Sequence, residues 1–134
     1  MVILDTDLII AYFRNVPKAV RVINKFRNEK KELKTTVINI GELYKGAYLS
    51  NKFEENNKKI DDFLKSILIL DLKIEDIKLY GKISAKLKQK GEIIGDLDEL
   101  IASITISRDE TLITRNVRHY ERITQLSFQN WEEL

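Results

Sequence analysis

The sequence contains no cysteine and only one histidine, and these two shortages exclude several kinds of site. Without thiols the chain cannot form a disulfide framework, a cysteine nucleophile or a cysteine-ligated zinc site. A multi-histidine metal site is excluded as well, because any imidazole chemistry would depend on His119 alone. A metal held by this chain is therefore expected to be a hard cation on oxygen ligands.

Proline and glycine are also scarce, with one and five residues among 134. Together with 43% hydrophobic and 33% charged residues, this excludes a disordered, collagen-like or low-complexity chain. The net charge of +2 is too small to indicate nucleic-acid binding by bulk electrostatics, although it does not forbid it. No apolar run is long enough to span a bilayer, and the first residues do not resemble a secretory signal. We therefore expect a cytoplasmic protein without a membrane segment.

Short apolar, β-branched runs alternate with stretches of helical periodicity along the whole chain. The runs at residues 2–4, 33–37, 67–70 and 111–114 predict strands, and a further edge is expected near the C-terminus. Pro17 is typical of a first helical turn, and Gly91 of the position just after the helix predicted over residues 74–90. No repeat or linker interrupts the pattern. It predicts a single α/β domain over residues 1–134, a three-layer α/β/α sandwich with a central parallel sheet.

Acidic and amide residues follow several of these predicted strands. Asp5 comes directly after the first strand, and Asn116 lies just beyond the strand at 111–114. Glu42 falls in the first part of the helix after the second strand, while Asp96 and Asp98 lie where another helix begins. Because parallel sheets place ligands beyond the carboxyl ends of their strands, these residues are expected to share one edge.

Some of these residues also have an ordinary structural interpretation. Asp5 could be only the N-cap of the helix behind it, and Asn116 could be only a turn residue. Glu42 stands three residues after Asn39, which is the spacing of a capping box. Each signal is weak alone, so the argument depends on their common edge.

The segment from 96 to 99 carries three acids in four residues. We interpret Asp96 as the helix cap and Glu99 as its partner, which leaves Asp98 without a structural explanation. Two carboxylates about 4 Å apart repel by on the order of 4 kcal/mol at an effective dielectric near 20. Asp98 close to other acids therefore indicates a bound cation.

Four segments, in order, resemble the motifs of the PIN-domain ribonucleases, and among them the VapC-type toxins of prokaryotic toxin–antitoxin pairs. They are residues 2–7 (VILDTD), 39–47 (NIGELYKGA), 91–102 (GEIIGDLDELIA) and 114–123 (TRNVRHYERI), with Trp131 fitting near the end. The resemblance covers nearly the whole chain and keeps the order of the family. It implies a PIN-like fold and a metal-dependent endoribonuclease acting as the toxin of a type II pair.

The resemblance implies that Asp5 and Asp98 are the principal ligands of Mg²⁺, with Mn²⁺ as an alternative. Glu42 would complete the catalytic site directly or through water. Asn116 stands where many PIN domains carry a fourth acid, and Asp96 is another candidate for the missing charge. The chemistry agrees, because carboxylate-held Mg²⁺ activates water and neutralises phosphoryl oxygens without any cysteine or histidine.

The resemblance also implies partners. They are single-stranded or looped RNA as substrate, a second copy of the chain in a homodimer, and a VapB-like antitoxin that masks the acidic groove. Arg115, Arg118 and Arg122 are candidate phosphate contacts, although a basic surface helix would look the same. His119 is interpreted as a surface residue rather than a general base.

Two other functions stay open at this point. A PIN nuclease of RNA processing would share the acidic site without being a toxin. A non-catalytic module could use the acid pocket only to hold a metal or a partner. Tyr44, Tyr48 and Phe53 form either an RNA-stacking or partner surface, or part of a core or dimer interface.

Overall fold

A computed structural model describes residues 1–134 and contains one five-stranded sheet. All four strand pairings are parallel, and the spatial order is β3-β2-β1-β4-β5. The strands are β1 (Val2–Leu4), β2 (Leu33–Thr36), β3 (Leu68–Leu70), β4 (Thr111–Thr114) and β5 (Phe128–Asn130). The predicted α/β fold with a central parallel sheet is confirmed.

Seven α-helices connect the strands. They are α1 (Thr6–Phe13), α2 (Pro17–Asn28), α3 (Val37–Tyr48), α4 (Phe53–Leu64), α5 (Ile74–Gln89), α6 (Asp96–Ser107) and α7 (Val117–Tyr120). A single 3-10 turn, Trp131–Glu133, follows β5. None of these helices has the length and apolar character needed to cross a bilayer.

The helices cover both faces of the sheet, because successive apolar side chains of the buried strands point to opposite faces. Val2 and Leu4 join the core formed with α1 to α4, whereas Ile3 between them joins the core formed with α5, α6 and α7. In β4, Ile113 and Leu112 divide between the two cores in the same way. This period of two is the geometry of a strand buried on both faces.

The chain reverses its direction of growth across the sheet next to β1. From β1 it proceeds outward through β2 to β3, and then returns to the other side of β1 with β4 and β5. Parallel α/β sheets form their ligand crevice at such a reversal, outside the carboxyl ends of the two strands that flank it. The crevice of this sheet therefore lies where β1 and β4 end.

Two predicted capping boxes are wrong. The cap of α3 is Thr36, whose hydroxyl accepts from the backbone N–H of Asn39 at 3.2 Å, so Glu42 lies outside the cap. The residue before α6 is Gly95 at φ 111°, and neither Asp96 nor Glu99 caps the helix. Both helices start earlier than the spacing of acids suggested, so Glu42, Asp96 and Glu99 lie within the helices and not in the cap position.

The predicted element ends differ from the structure by one residue in three places. Strand β2 stops at Thr36 because Val37 already belongs to α3, β3 begins at Leu68, and α5 ends at Gln89. Gly91 has φ 69°, the left-handed conformation expected just after a helix.

A buried ion pair joins α5 to the end of α6. The Asp76 side chain is fully buried and accepts from the guanidinium of Arg108 at 2.6 and 3.0 Å. It also accepts from the Lys73 backbone N–H at 2.8 Å and from the Ser107 hydroxyl. Burial alone would raise the pKa of Asp76, but these hydrogen bonds outweigh it and hold that pKa below its usual value.

Candidate active site

Asp5 lies at the centre of the crevice, directly after β1 and in the N-cap position of α1. Its side chain is 5% exposed and accepts from the Thr6 backbone N–H and from Asn39 Nδ2, both at 2.9 Å. The other carboxylate oxygen accepts from the hydroxyl of Thr114 at the end of β4, at 2.6 Å. Asp5 is therefore an N-cap, as its position suggested, and is also held by strand β4 and helix α3.

Glu42 is linked to Asp5 through a short chain of hydrogen bonds. The Thr6 hydroxyl donates to Glu42 Oε1 at 2.6 Å and accepts from Asn39 Nδ2 at 2.9 Å. Asn39 is fully buried, and its Oδ1 accepts from the Thr36 hydroxyl at 2.7 Å. Because Glu42 follows Asn39 by almost one turn of α3, the same helix supplies both the buried amide and the carboxylate.

Asp7, whose role the sequence left undefined, fastens the C-terminal part of the chain to the site. One of its oxygens accepts from Trp131 Nε1 at 3.0 Å, and the other accepts from the Arg115 backbone N–H at 3.0 Å. The Arg115 guanidinium lies over the Trp131 ring, 5.5 Å from its centroid. Asp7 is thus committed to structural hydrogen bonds while its negative charge stays close to Asp5.

Asp98 projects from the first turn of α6 toward the loop after β4. Its Oδ2 lies 3.3 Å from Asn116 Nδ2 and 2.8 Å from His119 Nδ1, and its Oδ1 accepts from the Tyr120 hydroxyl at 3.3 Å. The Asp98 side chain is 22% exposed, so it is open to the crevice. His119 is partly exposed, as expected of a surface residue, and its ring also contacts this carboxylate.

The site carries unrelieved negative charge. Burial, together with the charges of Asp7 and Asp98, raises the pKa of Asp5 to about 7, and the hydrogen bonds from Thr114 and Thr6 offset only part of this rise. Burial also raises the pKa of Glu42, and the nearby Asp98 and Asp7 add to the shift. The pKa of the buried Tyr120 hydroxyl is raised by burial and by the charges of the same acids. A cation placed here would relieve all of these shifts.

Four of the sequence-predicted residues lie together, and the others lie apart. Asp5, Glu42, Asp98 and Asn116 share the crevice. Asp96 is exposed and accepts from the Tyr80 hydroxyl at 2.8 Å instead of facing these acids.

The three candidate RNA-binding arginines are all exposed, but they are not equally free. Arg122 donates to the backbone carbonyls of Ile93 and Glu92 at 3.1 and 3.4 Å. Arg115 is stacked on Trp131. Arg118 makes no hydrogen bond or ion pair, and it is therefore the best placed of the three to reach a ligand.

Sequence reasoning missed several groups that build the site, namely Thr6, Thr114 and Tyr120, and it missed the buried amide of Asn39. Single hydroxyls carry no periodic signal, and all four residues contact acids that lie far away in the chain. A usable signal existed for Thr6, Asn39 and Thr114, because each lies within two residues of a predicted strand end.

The carboxylates suit an open, hydrated ion better than an enclosed one. No three carboxylate or imidazole side chains converge closely enough to surround a metal on their own. Mg²⁺ is commonly bound by one or two carboxylates and keeps water in its other positions. The all-oxygen carboxylates of Asp5, Glu42 and Asp98, together with the raised pKa of Asp5, fit that kind of ion.

Comparison with known proteins supports the same family. The PIN domain pattern matches residues 2–124. The chain belongs to the PIN-domain family. The PIN domain is 39% identical over 94 residues to Ribonuclease VapC2 of Rickettsia felis, covering 70% of each protein. It is 30% identical over 128 residues to the tRNA(fMet)-specific endonuclease VapC of Shigella flexneri, covering 96% of each.

A solved structure agrees with this placement. A chain in the crystal structure of VapBC2 from Rickettsia felis, bound to a DNA fragment from their promoter, superimposes with a TM-score of 0.89. The two chains are 32% identical, and the alignment covers 98% of this chain and 99% of the other. The resemblance to VapC-type PIN domains inferred from the four motifs is confirmed.

Proposed function

We propose that this PIN domain is a Mg²⁺-dependent endoribonuclease and the toxin of a type II toxin–antitoxin pair. The observation that carries the proposal is the meeting of Asp5, Glu42 and Asp98 at one edge of the sheet. Burial, with the charges of Asp7 and Asp98, raises the pKa of Asp5 to about 7, as expected of a site that binds a cation. Relatives named as ribonucleases support the reaction class.

Asp5 and Asp98 would hold the ion, because they flank the crevice from β1 and from α6. When bound, Mg²⁺ supplies positive charge for the phosphoryl oxygens and lowers the pKa of a coordinated water. Glu42 keeps one oxygen for the Thr6 hydroxyl, which leaves its second oxygen to accept the proton of the attacking water. The Asn116 amide would hydrogen-bond the water or the phosphate.

The substrate that we propose is RNA in a single-stranded or looped region. A phosphodiester enters an open crevice more easily where the RNA bases are unpaired. Arg118 is exposed and lies two positions after Asn116 and directly before His119 in the chain. Its guanidinium can therefore contact a phosphate at the site. One relative is named for tRNA(fMet), so a tRNA is the first substrate to test.

The partner that we propose is a VapB-like antitoxin. Structural relatives include VapBC complexes from Rickettsia felis, nontypeable Haemophilus influenzae and Salmonella typhimurium. A crevice with three acidic side chains is complementary to a basic group, so the antitoxin would mask the site by placing arginine or lysine near Asp5 and Asp98. We also propose that the toxin acts in the cytoplasm as a homodimer.

Cleavage of tRNA and of a mixed RNA pool tests the reaction. The wild type, Asp5→Asn and the control Asp109→Asn are compared in Mg²⁺ and in chelator. Asp109 is an exposed acid before β4, at the opposite end of the strands, and its φ of 53° suits asparagine equally well. We expect cleavage by the wild type and the control in Mg²⁺, and none by Asp5→Asn or in chelator.

The outcome also separates the alternatives. A folded wild type that cleaves neither RNA nor single-stranded DNA, and binds no Mg²⁺, would leave a non-catalytic interaction module. Metal-dependent cleavage without growth arrest on expression would favour a nuclease of RNA processing. Growth arrest that is relieved by co-expressing a neighbouring short gene for a DNA-binding protein would support the toxin.

A further inference from the structure

Helix α2 is the one long helix of the chain that carries basic residues and no acid. Its basic residues are Lys18, Arg21, Lys25 and Arg27. Each of the other helices of eight or more residues contains at least one aspartate or glutamate. The segment 14–34 around α2 holds eight basic and two acidic residues, although the whole chain has a net charge of only +2. The rest of the chain is therefore net negative, and such asymmetry is typical of proteins that bind nucleic acid.

Three of the basic residues line an open groove along α2. Lys18, Arg21 and Lys25 are spaced by three and four residues, which places them on one side of the helix. Val22 and Phe26 form the apolar part of the groove, whose volume is about 590 Å³. This volume lies within the range of about 300–1,000 Å³ that is common for ligand sites. We call this surface the α2 groove.

The positive charge of the α2 groove is not neutralised within the molecule. Arg21 and Lys25 are exposed and form no hydrogen bond or ion pair through their side chains. The one acid that lines the groove, Glu29, pairs with Lys31 at 3.2 Å. Like charges three and four residues apart destabilise a helix, so this arrangement has a cost that a bound anion would offset.

The crevice cannot attract RNA through its own side chains. Asp5, Glu42 and Asp98 are acids, and they repel phosphates unless a cation lies between. Proteins that bind nucleic acid obtain much of their affinity from lysine and arginine on the phosphates. An RNA strand that places one bond in the crevice therefore needs a basic surface elsewhere on the molecule.

The α2 groove begins close to the crevice. Trp131 donates to Asp7 and starts the 3-10 turn that packs against α2. Just after this turn, the carbonyl of Leu134 accepts from the Lys18 ammonium group. The turn also carries two exposed acids, Glu132 and Glu133. The groove is therefore near the crevice but separate from it, as a second contact for the same strand would be.

We propose that the α2 groove binds the phosphates of the RNA strand that leaves the crevice. The inference rests on the proposed function, because it concerns the same substrate. From Lys18 to Lys25 the helix rises by about 10 Å, which is the length of about three stacked nucleotides. Each of the three basic residues would contact one phosphate, while Val22 and Phe26 would pack against the sugars.

RNA binding without cleavage tests the groove. In the inactive Asp5→Asn protein, the added changes Arg21→Gln and Lys25→Gln are compared with the control changes Lys78→Gln and Lys82→Gln. The control removes two exposed lysines at the same spacing from α5, on the opposite face of the sheet. Fluorescence anisotropy of labelled tRNA and of a labelled single-stranded RNA is recorded in chelator at several concentrations of KCl.

The groove variant should bind both RNAs about tenfold more weakly, or weaker still, at low salt. The slope of log affinity against log KCl should fall by about 0.7 for each phosphate contact that is lost. The control should keep the slope of the Asp5→Asn protein, and so should Arg21→Lys with Lys25→Arg, which keeps both charges. Equal slopes in the groove variant and the control would overturn the proposal, as would absence of RNA binding by Asp5→Asn.

Cleavage kinetics in the active protein give the second readout. Because the groove lies outside the crevice, Arg21→Gln with Lys25→Gln should raise KM by about tenfold and change kcat little. A lower kcat with an unchanged KM would show that these residues act only through the fold of the crevice, and would contradict the proposal.

Failure of this inference is distinguishable from failure of the proposed function. If the wild type cuts RNA and the groove variant matches the control in both readouts, the groove is not an RNA site but the nuclease assignment stands. If the groove variant loses RNA binding while the wild type cuts no RNA in Mg²⁺, the groove stands and the nuclease assignment fails. Binding of labelled polyglutamate that is lost in the groove variant, with RNA binding unchanged, would assign the groove to an acidic protein instead.

Discussion

Asp5 binds a proton more tightly in the folded protein than in the unfolded chain, because its pKa rises from 3.8 to about 7. Protonation of this carboxyl therefore favours folding. The contribution is fully present below pH 3.8 and is lost as the pH rises through 7. Glu42, whose pKa is also raised, adds to the same trend. In the absence of metal, the site is a source of instability at neutral and alkaline pH.

Replacing Asp5 with asparagine should stabilise the metal-free protein while it abolishes activity. Asparagine can still accept from Thr6 and Asn39 through Oδ1, and it carries no charge to bury. We expect the free energy of unfolding of Asp5→Asn to exceed that of the wild type by an amount that grows between about pH 4 and pH 8. The difference should reach on the order of 4 kcal/mol. Urea unfolding in chelator at several pH values measures it.

Two controls sharpen this experiment. Asp109→Asn should leave the pH dependence of the wild type unchanged, because Asp109 is exposed. Added Mg²⁺ should stabilise the wild type at pH 8 more than it stabilises Asp5→Asn. A lower stability of Asp5→Asn than of the wild type at pH 8 would contradict the account.

The acids of the site were predictable, but the groups that hold them were not. Asp5 follows the end of a recognisable strand and Asp98 lies in the first turn of a recognisable helix. Both lie within motifs that the family shares. The contact between Thr114 and Asp5 spans 109 positions, and no local pattern encodes such a pairing. The contact of His119 with Asp98 was missed for the same reason, since only the fold brings the two residues together.

At the scale of elements, the Asp76–Arg108 pair helps to hold α5 and α6 together, beside their shared apolar core. Arg108→Met should destabilise the protein by about 3–5 kcal/mol, because it leaves a fully buried carboxylate without its charged partner. Urea unfolding at neutral pH measures the loss. Because the pKa of Asp76 is held below 3.8, the pair contributes above that pH and its contribution is lost as the pH falls further.

The matched control is Lys65→Met, which breaks an exposed pair with Asp62 at 3.5 Å. That change should cost less than about 1 kcal/mol. The double variant Asp76→Asn, Arg108→Met should recover part of the stability lost in Arg108→Met. Equal effects of Arg108→Met and Lys65→Met would show that the buried pair is not important for stability.

The elements themselves were largely predictable, because apolar periodicity reports burial directly. Strand β4 and the start of α2 at Pro17 were predicted at the observed residues. The ends of helices were harder to predict than the helices themselves, because several nearby polar residues are able to cap the same turn. At α3 the competitors were Thr36 and Asn39, and only the backbone conformation selects Thr36.

At the scale of the whole molecule, the strand order predicts where stability is concentrated. Strands β1 and β4 are central and their apolar side chains are almost fully buried, whereas Leu68 and Ile69 of the edge strand β3 are exposed. Amide hydrogen exchange should be slowest in β1 and β4, where it requires global unfolding, and faster in β3 through local opening. Equal protection of β1 and β3 would contradict this order.

The strand order itself did not follow from the sequence. Periodicity predicts a parallel sheet covered on both faces, but many orders satisfy that description. The observed order places β1 next to β4, so that the ends of these strands, and with them Asp5 and Asn116, lie side by side. The position of the site is thus a property of the topology rather than of any segment.

The long separation between Asp5 and its β4 partner has a consequence for synthesis of the protein. The ribosome makes Asp5 among the first residues, but Thr114 is made 109 positions later. Until β4 emerges and pairs with β1, Asp5 lacks the hydrogen bond from Thr114, and the loop that carries Asn116 is not in place beside Asp98. A nuclease built in this way would stay inactive through most of its own translation, so the messenger and the tRNAs that produce it would be spared.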